Sequence, residues 1–145
     1  MIAESSSENY WKKNSVMTSD KVAFVDIETT GLNPFQAEII EIGVVVYNVK
    51  TGTVEEREVK IRPLYIERAE PKALEVNGYS EKDWKNAVTL EEGLKQIGEI
   101  CEGAAFLAWN ATFDWSFLQK AYEDTGLDIP FHYHRLCIMS MAWMK

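Results

Sequence analysis

The chain has 145 residues and a net charge of −8, with 46% hydrophobic and 26% charged residues. These are the proportions of an ordinary globular domain, and they exclude collagen-like, mucin-like and wholly disordered chains. No apolar run approaches the roughly 18 residues of a membrane-spanning helix. The two cysteines, Cys101 and Cys137, form no CxxC pair and read as buried thiols rather than zinc ligands.

Residues 1–20 are polar, with Ser5-Ser6-Ser7 and few aliphatics, and are expected to be a flexible lead-in on which only Tyr10 and Trp11 offer docking groups. Met1-Ile2-Ala3-Glu4 has neither the charged nor the apolar region of a signal peptide, so a cytoplasmic location is expected. From Lys21 the composition turns apolar, and 21–145 reads as one domain. Val22–Ile27 predicts a central strand, apolar on both faces, that ends in the turn Thr30-Gly31-Leu32-Asn33-Pro34. Ile39–Asn48 is a second strand, Lys50-Thr51-Gly52 a turn, and Val54–Arg62 a third strand nearer an edge. Pro63 and Pro71 bracket an irregular stretch, and Tyr79–Asp83 reads as a helix start.

Thr89, with Glu92 three residues on, predicts a capping box for a helix carrying Leu90, Leu94, Ile97 and Cys101 at helical spacing and ending at Gly103. Ala104–Trp109 is a buried fourth strand. Asn110 or Thr112 caps a helix that runs to Gly126. Phe131–His134 is a short fifth strand, and Leu136–Met144 begins a last helix. Three antiparallel strands followed by βαβ units predict an α/β fold, a mixed sheet flanked by helices.

Asp26 and Glu28 share one face of the first strand, about 6.6 Å apart along it. Two carboxylates in an apolar strand are costly unless something positive joins them. Oxygen-only ligands suit Mg²⁺ or Mn²⁺; the alternative is a strand end that exposes both acids to water. Asp114 falls in the first turn of its helix, where the dipole favours an anion. It shares a face with Phe117, Leu118, Ala121 and Tyr122. Its alternative reading is a dipole acid with no ligand. Acids from two strand ends can meet in one cleft at the edge of such a sheet, where α/β ligand sites form. The acidic net charge speaks against broad coating of a phosphate backbone, but not against a site in which bound cations supply the positive charge.

The segment Phe24-Val25-Asp26-Ile27-Glu28-Thr29-Thr30-Gly31-Leu32 resembles the first motif of the DnaQ-like, or DEDD, 3′–5′ exonucleases, which include the DNA polymerase III epsilon-like and ribonuclease T-like proteins. Glu38–Gly43 resembles the second strand of that family, Asn110-Ala111-Thr112-Phe113-Asp114 its second motif, and Pro71–Gly78 the segment between them. The resemblance covers 21–145. It implies a ribonuclease H-like fold and release of nucleotides from 3′ ends of DNA or RNA by two-metal-ion phosphodiester hydrolysis with Mg²⁺ or Mn²⁺. It implies metal roles for Asp26, Glu28 and Asp114, with Asp26 shared between the ions. Backbone groups of Thr29, Thr30, Gly31 and Leu32 would hold the terminal nucleotide, Leu32 against its base, and Asn110 and Phe113 would line the path. Phe113, Trp109 and Trp115 also read as packing or surface aromatics.

The family's third motif, His-x4-Asp or Tyr-x3-Asp, finds no match in its place. Five positions after His132 and His134 stand Cys137 and Met139, and Tyr79 with Asp83 falls in the wrong order. The chain is therefore expected to be an exonuclease domain lacking its C-terminal motif, with a nucleic acid 3′ end, preferably single-stranded, as partner and a DNA polymerase subunit as a further one. The alternative is a catalytically incomplete binding module of this fold, such as a fragment of a proofreading-type polymerase subunit. No P-loop or GxGxxG string is present.

Overall fold

The computed structural model describes residues 19–144. Most of the expected lead-in, with Tyr10 and Trp11, lies outside the described residues. Five strands form one sheet: β1 (Lys21–Thr29), β2 (Ile39–Asn48), β3 (Val54–Lys60), β4 (Ala105–Ala108) and β5 (His132–Cys137). Among the described residues four α-helices accompany it: α1 (Pro71–Asn77), α2 (Leu90–Cys101), α3 (Ala111–Thr125) and α4 (Ile138–Ala142). The sheet order is β3-β2-β1-β4-β5. The first three strands are antiparallel neighbours, and β4 and β5 run parallel to β1. This is the expected α/β fold of the ribonuclease H-like kind.

The β-meander follows from β-branched runs joined by a tight turn, with Gly52 in the left-handed conformation. The capping box on α2 forms as the spacing predicts: the Thr89 hydroxyl accepts the Glu92 N–H at 3.2 Å, and the Glu92 carboxylate accepts the Thr89 N–H at 2.9 Å. Helices α2 and α3 close one face of the sheet. Leu94, Ile97, Phe117, Leu118 and Ala121 pack there against Ala23, Val25, Ile27, Ile42, Val44 and Val46.

That arrangement corrects one expectation. The first strand is central but not apolar on both faces. Ala23, Val25 and Ile27 are buried, whereas Phe24 is 44% exposed and Asp26 is exposed. Strand alternation sends these two sets to opposite faces, and both long helices cover the same one.

Other differences are local. The third strand ends at Lys60, and Ile61 makes a separate bridge to Val88. The stretch between Pro63 and Pro71 holds a 3-10 turn, Ile66–Arg68. Residues 81–86 are successive turns rather than a helix, although Ser80 and Asp83 hydrogen-bond to each other as at a helix start. The fifth strand runs on to Cys137, paired with Ala108, so the last helix begins at Ile138.

Candidate active site

The three acids come together at the C-terminal ends of β1 and β4. Phe24 is in register with Leu107, so Asp26 lies level with the start of the β4–α3 junction. Asn110 is the N-cap residue of α3, without a side-chain cap bond, and Asp114 is in the first turn. Asp114 turns inward instead of serving the helix alone: its Oδ1 accepts the Ile27 N–H at 3.2 Å. That bond ties the second motif to the strand carrying the first.

The electrostatics are those of like charges forced together. Burial, then the Asp26 carboxylate, pushes Asp114 up to about 6, against backbone N–H bonds from its own helix and from Ile27. Burial, then Asp26, also raises Glu28. Glu41 stands opposite Glu28 in register and is raised by burial and by Glu58. Among the described residues no Lys, Arg or His is ion-paired with Asp26, Glu28 or Asp114. Nor, among the described residues, do three His, Cys, Asp or Glu side chains already stand close enough to hold a metal ion. The donor set is nonetheless all oxygen and uncompensated, which is the chemistry that Mg²⁺ and Mn²⁺ favour. Beside Asp26 an open groove of about 560 Å³ runs over the uncovered sheet face, lined among others by Phe24, Val45, Glu58 and Trp109.

The Thr29–Leu32 turn is a built cradle. Thr29 and Thr30 are buried, and Leu32 is 74% exposed. The Thr29 hydroxyl donates to the Gly31 carbonyl at 2.7 Å, and the Glu38 N–H donates to the Thr30 hydroxyl at 2.8 Å. Asn110 is exposed at the mouth of the site. Phe113 packs against the core and against Phe117, ring centroids 5.1 Å apart, so it belongs to the helix junction. Trp115 is buried and Trp109 is exposed.

His132 and His134 lie elsewhere. His132 is in register with Ala105, at the opposite end of β4 from Asn110. The two imidazoles stack, 5.3 Å apart. Neither is placed to act on a group beside Asp26.

Two further residues hold the turn: Glu70, which no sequence pattern marks, and Asn77, which lies in the Pro71–Gly78 segment that resembles the family. The Leu32 N–H donates to Glu70 Oε1 at 3.1 Å, while the Glu70 N–H donates to the Thr30 carbonyl at 2.8 Å. The Asn77 side-chain amide donates to the Thr29 carbonyl at 3.0 Å. Helix α1 thus spans the cradle from Glu70 at one end to Asn77 at the other. Pro71 at its first turn and Gly78 just past its end, in the left-handed conformation, are the signals that mark its bounds.

Comparison with known proteins identifies the family and the fold. Residues 23–145 match the RNase_T family, described as exonuclease. The chain is 35% identical over 104 residues to the PolC-type DNA polymerase III of Lactococcus lactis, which covers 72% of this chain and 6% of that protein. It is 32% identical over 114 residues to the PolC-type DNA polymerase III of Streptococcus thermophilus, covering 79% of this chain and 8% of that one. The chain therefore spans less than a tenth of the length of these curated relatives. A product-bound exonuclease I structure superposes with a TM-score of 0.71 at 15% identity, over 86% of this chain and 31% of that one. Cell-death related nuclease 4 superposes with a TM-score of 0.67 at 15% identity, over 86% and 47% of the two chains. At such identities the likeness to the solved structures is one of fold.

Proposed function

Since the chain belongs to the RNase_T exonuclease family, we propose that it carries a metal-dependent 3′–5′ exonuclease site acting on the 3′ ends of DNA or RNA, single strands above all. One observation supports this most: Asp26, Glu28 and Asp114 gather at adjoining strand ends with raised pKa values on two of them and, among the described residues, no side-chain cation ion-paired with them. Structural carboxylates of this kind are usually paired. Uncompensated ones are the mark of a site built for a cationic ligand.

In this reading Asp26, Glu28 and Asp114 hold two divalent ions, Mg²⁺ or Mn²⁺. When bound, such ions supply an activated water and a stabilised leaving oxygen. The chain's own residues hold the strand end. Backbone groups of Thr29, Thr30 and Gly31 hold the terminal nucleotide, and exposed Leu32 lies against its base. Asn110 borders the entering strand; Phe113 acts by fixing the start of α3 and thereby Asp114. The relatives are PolC-type DNA polymerases III, which supports extending a proofreading role to this chain. The alternative, a binding module of this fold, is not favoured, because a module of that kind has no need of all three acids.

A time course on a 5′-labelled single strand tests the reading, with Mg²⁺ or Mn²⁺, with EDTA, and with Asp26→Ala alongside. A ladder shortening from the 3′ end, absent in EDTA and in the variant, is expected. No ladder from the wild-type chain, although metal binds, would sink the enzymatic reading and leave the binding module.

A further inference from the structure

A groove of about 560 Å³ lies on the helical side of the sheet, the side opposite Asp26, and nothing in the proposed hydrolysis uses it. Its size is that of a binding cleft. Apart from Phe117 its floor is the aliphatic flank of the core, with Ile39, Ile61, Leu90 and Ala121. Two loops wall it. One carries Phe35, 82% exposed; the other carries Leu64, 76% exposed, and Tyr65. Single exposed apolar residues are ordinary, but here three stand together along one cleft. Both loops are held fast. The Glu38 carboxylate accepts the Leu64 N–H at 2.8 Å and the Tyr65 N–H at 2.9 Å. The Glu38 backbone is bonded to Thr30 through both its N–H and its carbonyl. Anchors fixed before binding lose little freedom when a partner arrives.

The charges select the partner. Glu38, Glu91 and Asp124 line the groove but are already satisfied: Glu38 by the two N–H groups, Glu91 by Lys95 at 2.6 Å and Asp124 by Lys120. The two arginines on the groove are less well matched. Among the described residues Arg62 is ion-paired with no carboxylate and donates to the Ala87 carbonyl. Arg68 reaches Glu67 only at 3.8 Å, in an exposed pair of the kind that contributes little. An acidic ligand complements such a cleft. A nucleic acid strand fits it less well. The floor is mostly aliphatic, and one face of Tyr65 is taken by the Arg68 guanidinium, 4.3 Å from the ring centroid, so stacking platforms are few.

We propose that this groove docks an acidic protein segment built around an aromatic or leucine anchor, the anchor seated between Phe35 and Leu64 and the acids on Arg62 and Arg68. A partner seated there tethers the domain and leaves Asp26 and the open sheet face uncovered. Random peptides displayed on phage, panned against the full chain, test this; the recovered peptides are synthesised with a fluorophore and titrated by anisotropy. Sequences rich in Asp and Glu around an aromatic residue or leucine are expected, binding at about 1–100 μM. Phe35→Ser and Leu64→Ser should each weaken them at least about fivefold. Both side chains are exposed, so the melting midpoint should not move. Arg62→Gln combined with Arg68→Gln should weaken them as well and flatten the salt dependence of their binding. No enrichment, an enriched motif without acids, or peptides indifferent to these substitutions overturns the proposal. So does a labelled single strand whose binding the substitutions abolish, which makes the groove a nucleic acid path. Dimerisation of the wild type that Phe35→Ser abolishes also overturns it, and makes the groove a contact between copies. None of these readouts uses nuclease activity, so the exonuclease reading stands or falls apart from them.

Discussion

Asp114 answers to two opposed demands, and pH separates them. Its pKa is about 6 in the fold against 3.8 for the free side chain, chiefly through burial. Between those values the folded chain holds a proton that the unfolded chain has released, so stability falls as pH rises through that window and stays lower above it. Asp114→Asn keeps an acceptor for the Ile27 N–H and carries no charge. In metal-free buffer at pH 7.5 its thermal midpoint is expected about 3 °C above the wild type, the gap closing towards pH 4. A midpoint at or below the wild type at pH 7.5 would show that the carboxylate is a net structural asset. Metal reverses the order. At ten times its dissociation constant, Mn²⁺ adds about 1.4 kcal/mol to a chain that binds it only when folded. The wild type gains this increment in a melting series, and both Asp26→Asn and Asp114→Asn lose most of it; a wild-type midpoint indifferent to Mn²⁺ would contradict the metal assignment.

At the scale of elements, the end of β1 works because α1 closes on it, and Gly31 is what lets it close. Gly31 is not in the left-handed conformation. Its lack of a side chain makes room for the Glu70 carboxylate, which a Cβ would meet at 2.5 Å. The obstructing atom is the far end of an exposed, flexible side chain, so Gly31→Ala should cost the fold less than about 1 kcal/mol. It should still displace Glu70 from the Leu32 N–H, loosen the Thr29–Leu32 turn and weaken binding of a strand end at least fivefold. A melt and an anisotropy titration on the same sample check both halves, and a stable variant with unchanged end binding would disprove the closure. These elements also show what a sequence makes legible. The Thr89/Glu92 box and the acids at 26, 28 and 114 follow local spacing, and local spacing is visible. Glu70 and Asn77 reach back 38 and 48 residues to the cradle from the two ends of a short helix, and contacts of that range leave no period. The alternation of Ala23, Val25 and Ile27 with Phe24, Asp26 and Glu28 is itself readable. Which face the helices would take is decided by packing, and Phe24 disguises the open one as core.

Over the whole molecule, that open face and the net charge of −8 decide how a strand can be held. Asp26, Glu28, Glu41 and Glu58 bring their carboxylates near one another on the first three strands, so this part of the surface repels a phosphate backbone. Arg62, Arg68 and Lys120 line a second groove of about 560 Å³ on the helical side, but Arg62 is bonded to the Ala87 carbonyl, Arg68 to Glu67 and Lys120 to Asp124. On the proposed reading a strand end would thus be gripped by divalent ions and by neutral backbone groups, with one or two phosphates at most neutralised by side chains. For single strands the affinity falls with salt in proportion to the phosphates so neutralised. Raising monovalent salt from about 50 to 200 mM should therefore weaken binding of a hydroxyl-ended strand by less than about tenfold, where six to ten such contacts would cost roughly 10³ or more. Anisotropy at fixed Ca²⁺ measures the slope. A steep one would mean that the Arg62–Arg68–Lys120 groove breaks its internal pairs to carry the strand, and that the body of the substrate lies on the helical side of the sheet rather than across the acidic face.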